Sequence, residues 1–174
     1  DVNCPWSLQE TREMIDQLQA YQLYWLEEPI WPPEDFKNLA KIKSEGKIAI
    51  AAGENNLSLK HFEQMLESDA VNYIQPSVTK IGGISEMLKI ISLGKSFNIP
   101  VMPHSPYFGP GLLATLHLAT LLPEKPLIEY SFATLENNPL GASVLIQNGE
   151  IKVPTGHGLG YDPDETIIRA MTIQ

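Results

Sequence analysis

The sequence holds a single cysteine, Cys4, among 174 residues. One thiol cannot close a disulfide within the chain, so a disulfide framework is excluded, and this usage fits a reducing cytoplasm. No apolar run approaches the roughly 18 residues that a membrane span needs. The opening residues do not have the pattern of a secretory leader. Basic residues are scarce, with 12 Lys and Arg against 21 Asp and Glu and a formal charge of −9. A nucleic-acid binder needs a basic face, and no cluster of Lys or Arg is present. Neither nucleic acid nor membrane is therefore an expected partner. A glycine-rich phosphate loop is missing as well. Lys80-Ile81-Gly82-Gly83 follows a late strand and has no G-x-G-x-x-G pattern, which counts against a nucleotide-binding domain.

What is present is an apolar fraction of 43%, enough for one sizeable core. Short apolar runs alternate with longer amphipathic stretches. Helices are expected over 7–21, 35–46, 58–69, 84–98 and 111–122. Ser7 with Glu10 three residues later forms a capping-box signature, and Ser58 is a second N-cap. Gly46 is a helix stop. Apolar runs at 23–29, 48–55, 70–77, 99–105 and 127–131 read as strands. Strands apolar along their whole length suggest a parallel sheet covered on both faces. The pattern by itself leaves a doubly wound sheet and a closed barrel both open. Asn148-Gly149 between Ile146 and Val153 is a strand–turn–strand signal.

Polar residues recur at the carboxyl ends of these runs. They are Asp1, Glu27, Glu54, Ser77, His104 and Glu129, separated by 26, 27, 23, 27 and 25 residues. A βα unit of a barrel takes roughly 30 residues. One polar residue per unit at one phase is the signature of a site shared by several strand ends. Asp1, Glu27 and Glu54 are carboxylates in succession. Three hard oxygen donors on rigid strands suit Mg²⁺ and leave positions for substrate oxygens and water. Without a cation they would repel one another. Glu28 is placed on the opposite side by strand alternation and reads as a supporting or structural residue. His61 and His117 lie in helical stretches and read as packed imidazoles. Lys80 reads as a packing or surface lysine.

The segments DVN (1–3), WLEEP (25–29), GEN (53–55), QPSVTKIGGI (75–84), MPHS (102–105) and IEY (128–130) together resemble the enolase superfamily. The nearest branch is the mandelate racemase/muconate-lactonizing enzyme-like group, and the resemblance runs over nearly the whole chain. It implies an α/β fold: the last six βα units of a modified (β/α) barrel. Residues 1–131 would be barrel strands three to eight. Residues 132–174 would be a C-terminal segment packing on a capping domain. That capping domain, the first two strands and a lysine motif on strand two would lie outside this chain. Such a chain, carrying open edges near residues 1–6 and 127–131, is expected to associate as a homo-oligomer.

The resemblance also implies roles. Asp1, Glu27 and Glu54 would bind Mg²⁺, His104 would be the general base, and Glu129 would hydrogen-bond a substrate carboxylate oxygen. The shared chemistry is abstraction of a proton next to a carboxylate, with stabilisation of the resulting enediolate. Ser77 is a departure, because the racemase-like group has an aspartate there to orient the histidine. A serine accepts a hydrogen bond from an imidazole without stabilising its positive charge. This favours His104 as a weaker base, or as an acid assisting a departing hydroxyl. Dehydration of an acid sugar is therefore preferred over racemisation or epimerisation, which needs two competent bases. An inactive scaffold is the remaining alternative.

Overall fold

The structure, a computed structural model, describes residues 1–123 and 126–172. The chain falls into two compact units, Asp1–His104 and Ser105–Gln174.

The first unit is a parallel array. Helix α1 (Leu8–Leu18) leads to strand β1 (Leu26–Glu27), α2 (Phe36–Glu45), β2 (Ile50–Ala52), α3 (Leu59–Glu67), β3 (Tyr73–Ile74) and α4 (Ile84–Ser96). The strands pair in chain order, with Leu26 opposite Ile50, Glu27 opposite Ala51, Ala51 opposite Tyr73 and Ala52 opposite Ile74. Two further segments extend the array. Residues 2–6 run beside β1, with Val2 N donating to Glu27 O (3.1 Å), Cys4 N to Glu28 O and Trp6 N to Pro29 O. Residues 100–104 run beside β3, with Met102 N donating to Ile74 O (2.9 Å) and His104 N to Pro76 O (3.2 Å). Both added segments are parallel to their neighbours. Five consecutive segments therefore lie side by side in chain order. A doubly wound sheet would reverse its order at a switch point. The sequential order is that of a barrel wall.

The helices form where the sequence placed them, and for the expected reasons. Ser7 accepts from Glu10 N and Glu10 accepts from Ser7 N, so the capping box is complete. Asp35 caps α2, and Gly46 ends it with φ +67°. Ser58 caps α3. The buried faces repeat at three- and four-residue spacing: Phe36, Leu39 and Ile42 on α2, Phe62, Met65 and Leu66 on α3, and Met87 and Ile90 on α4. Gly94 lets α4 approach the sheet closely. A Cβ there would lie 3.0 Å from Val101 Cγ2 and 3.1 Å from Ile74 Cδ1. Within the expected helix 7–21, Ile15 is buried on α1, and Tyr21, in a 3₁₀ turn after α1, is 74% exposed.

Strand lengths differ from expectation. The regular ladder is two or three residues per strand, and residues 99–105 contribute one bridge, Val101 to Ile74. Gly53 (φ +130°) and Glu28 (φ +47°) turn the chain out of the pleat as soon as it reaches the strand end.

The second unit is built on helix α5 (Pro110–Ala119), with Pro110 at its first turn. Leu112, Leu113, Leu116, Leu140 and Val144 form its core, and Tyr130, Ile151 and Val153 pack against it. The expected strand at 127–131 is not a strand. The segment is held within the unit by Ser105 Oγ donating to Glu129 O (2.7 Å) and by Tyr130 Oη donating to Val144 O (3.1 Å). The Asn148-Gly149 turn is present, with φ of +54° and +77° and an antiparallel bridge between Gln147 and Glu150. Helix α6 (Glu165–Met171), capped by Asp164, closes the described chain. Ile173 and Gln174, the end of the expected terminal stretch, lie outside the described residues.

Candidate metal centre

Asp1, Glu27 and Glu54 come together. Each offers a carboxylate oxygen, and these oxygens all lie within 4.8 Å of one another. The three residues belong to adjacent parallel segments at the carboxyl edge of the array, separated in the chain by 26 and 27 residues. Asp1 is exposed, Glu27 is buried and Glu54 is half-buried.

Local structure sets each carboxylate. Asp1 Oδ1 accepts from Asn3 N at 2.8 Å, in a turn where Asn3 and Cys4 both have positive φ. Glu27 ends β1, and its Oε2 accepts from the Trp25 indole N–H at 3.0 Å. Trp25 immediately precedes β1, two residues before Glu27, and the hydrogen bond brings the two side chains together. Glu54 follows Gly53, which no larger residue could replace without displacement. A Cβ at Gly53 would lie 2.9 Å from Phe62 Cε1 and 3.2 Å from Gln75 N. The G-E-N motif is thus a close approach of chain to helix α3 and strand β3, with Glu54 delivered at its exit.

Glu54 also has two nitrogen-bearing neighbours. His104 Nδ1 lies 2.8 Å from its Oε2, and Lys80 Nζ lies 3.3 Å from its Oε1. The hydrogen bond to His104 holds the Glu54 carboxyl below its ordinary range. Burial opposes that shift, and the charges of His104 and Lys80 add to it. His104 is buried at the end of the segment beside β3. Ser77 is fully buried, and its hydroxyl lies 3.1 Å from that of Thr79. Glu129 is exposed and belongs to the second unit.

The donor set fits a hard divalent cation. At an effective dielectric of about 20, each pair of unit charges at 4.8 Å repels by about 3.5 kcal/mol. A cation bound between them reverses the sign of that interaction. All-oxygen donors are the chemistry of Mg²⁺ rather than of a soft metal.

The family described as enolase C-terminal domain-like matches residues 1–167. The chain belongs to that family. Its fold is accordingly the α/β, TIM-barrel-like enolase C-terminal domain, in the mandelate racemase/muconate-lactonizing superfamily. A D-xylonate dehydratase of Haloferax volcanii is 29% identical over 99% of this chain and 42% of its own length. An arabinonate dehydratase of Saccharolobus solfataricus is 33% identical over 92% of this chain and 43% of its own. The crystal structure of an L-talarate dehydratase from Polaromonas sp. JS666, complexed with Mg and L-glucarate, superposes with a TM-score of 0.84 at 28% identity. It covers 100% of this chain and 46% of that one. The chain therefore spans less than half the length of the relatives it matches. These relatives of the enolase C-terminal domain are enzymes.

Several neighbours of the site were not legible in advance. Lys80, read as a surface lysine, pairs with Glu54 across a strand gap of 26 residues. Trp25 was seen only as part of an apolar run. Its spacing of two from Glu27 was the available signal. Glu28, read as a supporting or structural residue, has partners that spacing does not name: Cys4 Sγ, Gly53 N and Asn55 Nδ2. Burial, with Glu28 beside it, pushes the Cys4 thiol well up, so that Cys4 stays the proton donor. Within the second unit, His117, read as a packed imidazole, has Nε2 3.0 Å from Leu159 O.

Proposed function

We propose that this chain supplies the Mg²⁺ site of an enolase-superfamily dehydratase acting on an acid sugar. The observation that carries the reading is the convergence of Asp1, Glu27 and Glu54 oxygens within 4.8 Å, on three adjacent parallel segments. The names of the relatives, xylonate and arabinonate dehydratases among them, support an acid sugar as the small carboxylate substrate. Asp1, Glu27 and Glu54 would hold the ion. Bound there, it would act as a Lewis acid toward substrate carboxylate oxygens.

The chain's own residues then have the following work. The three carboxylates would hold the cation that orients the substrate, and Lys80 offsets the surplus negative charge at Glu54. His104 exchanges protons with the substrate, as the base at the carbon next to the carboxylate or as the acid toward the departing hydroxyl. Removal of the α-proton leaves its electron pair in an enediolate. That pair then expels hydroxide from the β-carbon as an acid delivers a proton to it, so that water leaves. The resulting enol tautomerises to a 2-oxo-3-deoxy acid. Ser77 stands beside the His104 segment as an uncharged neighbour, and Glu129 is the proposed donor or acceptor to a substrate carboxylate oxygen. Residues 132–174 would pack on a capping domain. Cytoplasmic location and homo-oligomeric association complete the reading, and no helix of the described residues is long and apolar enough to cross a membrane.

The test is a panel of acid sugars with Mg²⁺, read as formation of 2-oxo-3-deoxy acid, with His104→Asn and Glu54→Gln alongside. Loss of turnover in His104→Asn and loss of Mg²⁺ binding by calorimetry in Glu54→Gln are expected. Full activity in the first variant removes His104 from the mechanism, and unchanged affinity in the second refutes the triad.

A further inference from the structure

Glu28 is a buried carboxylate that the proposed chemistry does not use. It is 3% exposed. A carboxylate at that depth requires compensation by hydrogen bonds, and both of its oxygens are engaged. Oε1 accepts from Gly53 N at 3.2 Å, and Oε2 accepts from Cys4 Sγ at 2.9 Å and from Asn55 Nδ2 at 2.6 Å. Its main chain bridges the same two neighbours. Glu28 N donates to Ala51 O at 3.0 Å, and Glu28 O accepts from Cys4 N at 2.6 Å.

The sequence positions of these partners are informative. Cys4 is on the segment that carries Asp1. Glu28 is the residue after Glu27. Gly53 and Asn55 stand on either side of Glu54. The three segments that carry the candidate ligands are therefore tied together by one side chain, which is not itself among the converging carboxylates.

We propose that Glu28 is a positioning residue: a buried strut with three donors that fixes the separation of the strand ends bearing Asp1, Glu27 and Glu54, and so preorganises the divalent-cation site without touching the ion. The proposal rests on the reading of those three carboxylates as a cation site. The carboxylate is specifically required. Three donors converge on it, and an ionised carboxylate is acceptor-only, with room for about four hydrogen bonds. An amide of the same shape turns an NH₂ group toward one of the donors and breaks that contact. Supporting residues of this kind typically change metal affinity by roughly 10- to 100-fold.

The experiment measures Mg²⁺ affinity by calorimetry and the Mn²⁺ site by electron paramagnetic resonance. It uses the full chain, with circular dichroism to follow folding. Glu28→Gln is expected to weaken Mg²⁺ binding by roughly tenfold or more and to alter the Mn²⁺ spectrum. Cys4→Ala is expected to weaken binding, and Cys4→Ser, which keeps a donor, to recover part of it. A protein that is unaltered in affinity and spectrum in Glu28→Gln overturns the strut while leaving the cation site intact. A wild-type protein that binds neither ion overturns the cation site and the strut with it. If Glu28→Gln does not fold, Asn55→Ala decides. It removes one donor only, and unchanged affinity there overturns the proposal, whereas a several-fold loss supports it.

Discussion

Substitution of Gly53 by alanine tests whether the approach of the chain before Glu54 is as tight as the packing indicates. The added Cβ meets Phe62 Cε1 at 2.9 Å and Gln75 N at 3.2 Å. Phe62 is completely buried, so its ring has no solvent to move into, and Gln75 N is tied to Ala52 O at 3.0 Å. The backbone adds a second penalty, because φ of +130° is a conformation that side-chain-bearing residues rarely adopt. Such strain costs about 1–3 kcal/mol, and overpacking a dense core typically costs about 1–3 kcal/mol more. The expected destabilisation is therefore about 2–6 kcal/mol. Equilibrium denaturation in urea, followed by circular dichroism and tryptophan fluorescence, measures it as a fall in midpoint at unchanged slope. If the variant folds, Glu54 is displaced and Mg²⁺ affinity falls as well. A variant within about 0.5 kcal/mol of the parent, the range of ordinary surface substitutions, refutes the reasoning.

Other expectations address separate parts of the chain. Ser7→Ala removes the cap of α1 and is expected to destabilise by about 1 kcal/mol, measured as a fall in thermal midpoint. The hydrogen bonds from Ser7 hold the Glu10 carboxyl below its ordinary 4.5, so its contribution is fully present above that pH. That contribution is lost as pH falls through the lower native value. Glu10→Gln should accordingly flatten the acid limb of a stability–pH profile, and an unchanged profile would count against the capping box. Gly94→Ala inserts a Cβ 3.0 Å from Val101 Cγ2; about 1–3 kcal/mol of destabilisation is expected from overpacking, whereas stabilisation would show that α4 has room to shift. Leu112→Ala empties a position in the core of the second unit, and a loss of about 2–5 kcal/mol is expected in denaturant unfolding.

Helices were readable because their determinants are local. Ser7, Ser58 and Gly46 act on backbone groups within one turn, and all three act as expected. Strand ends were harder. The apolar runs at 23–29 and 48–55 were correctly assigned, but their ladders are only two and three residues long. Pairing stops where Glu28 and Gly53 leave the pleat, and positive φ at a glutamate leaves no mark in hydropathy. The segment at 127–131 has strand composition and no ladder, because a strand is defined by its partner and its hydrogen bonds run instead to Ser105 and Val144.

The candidate site divides in the same way. Three carboxylates at one phase of a βα repeat follow from spacing, because a repeating unit returns each strand end to the same edge of a sheet. The motifs around them carried the family and, with it, the fold. Spacing does not fix what each carboxylate touches. That Lys80 and His104 both reach Glu54, while Glu28 gathers Cys4, Gly53 and Asn55, depends on lateral distances between residues 24 to 50 apart in the chain. Those distances are set by how the strand ends turn and by what packs beneath them. The sequence alone determined which acids face one edge, with Glu27 among them and Glu28 set apart as a supporting residue; the tertiary structure decided what each glutamate touches, because Cys4, Gly53 and Asn55 reach Glu28 only through the lateral packing of separate chain segments.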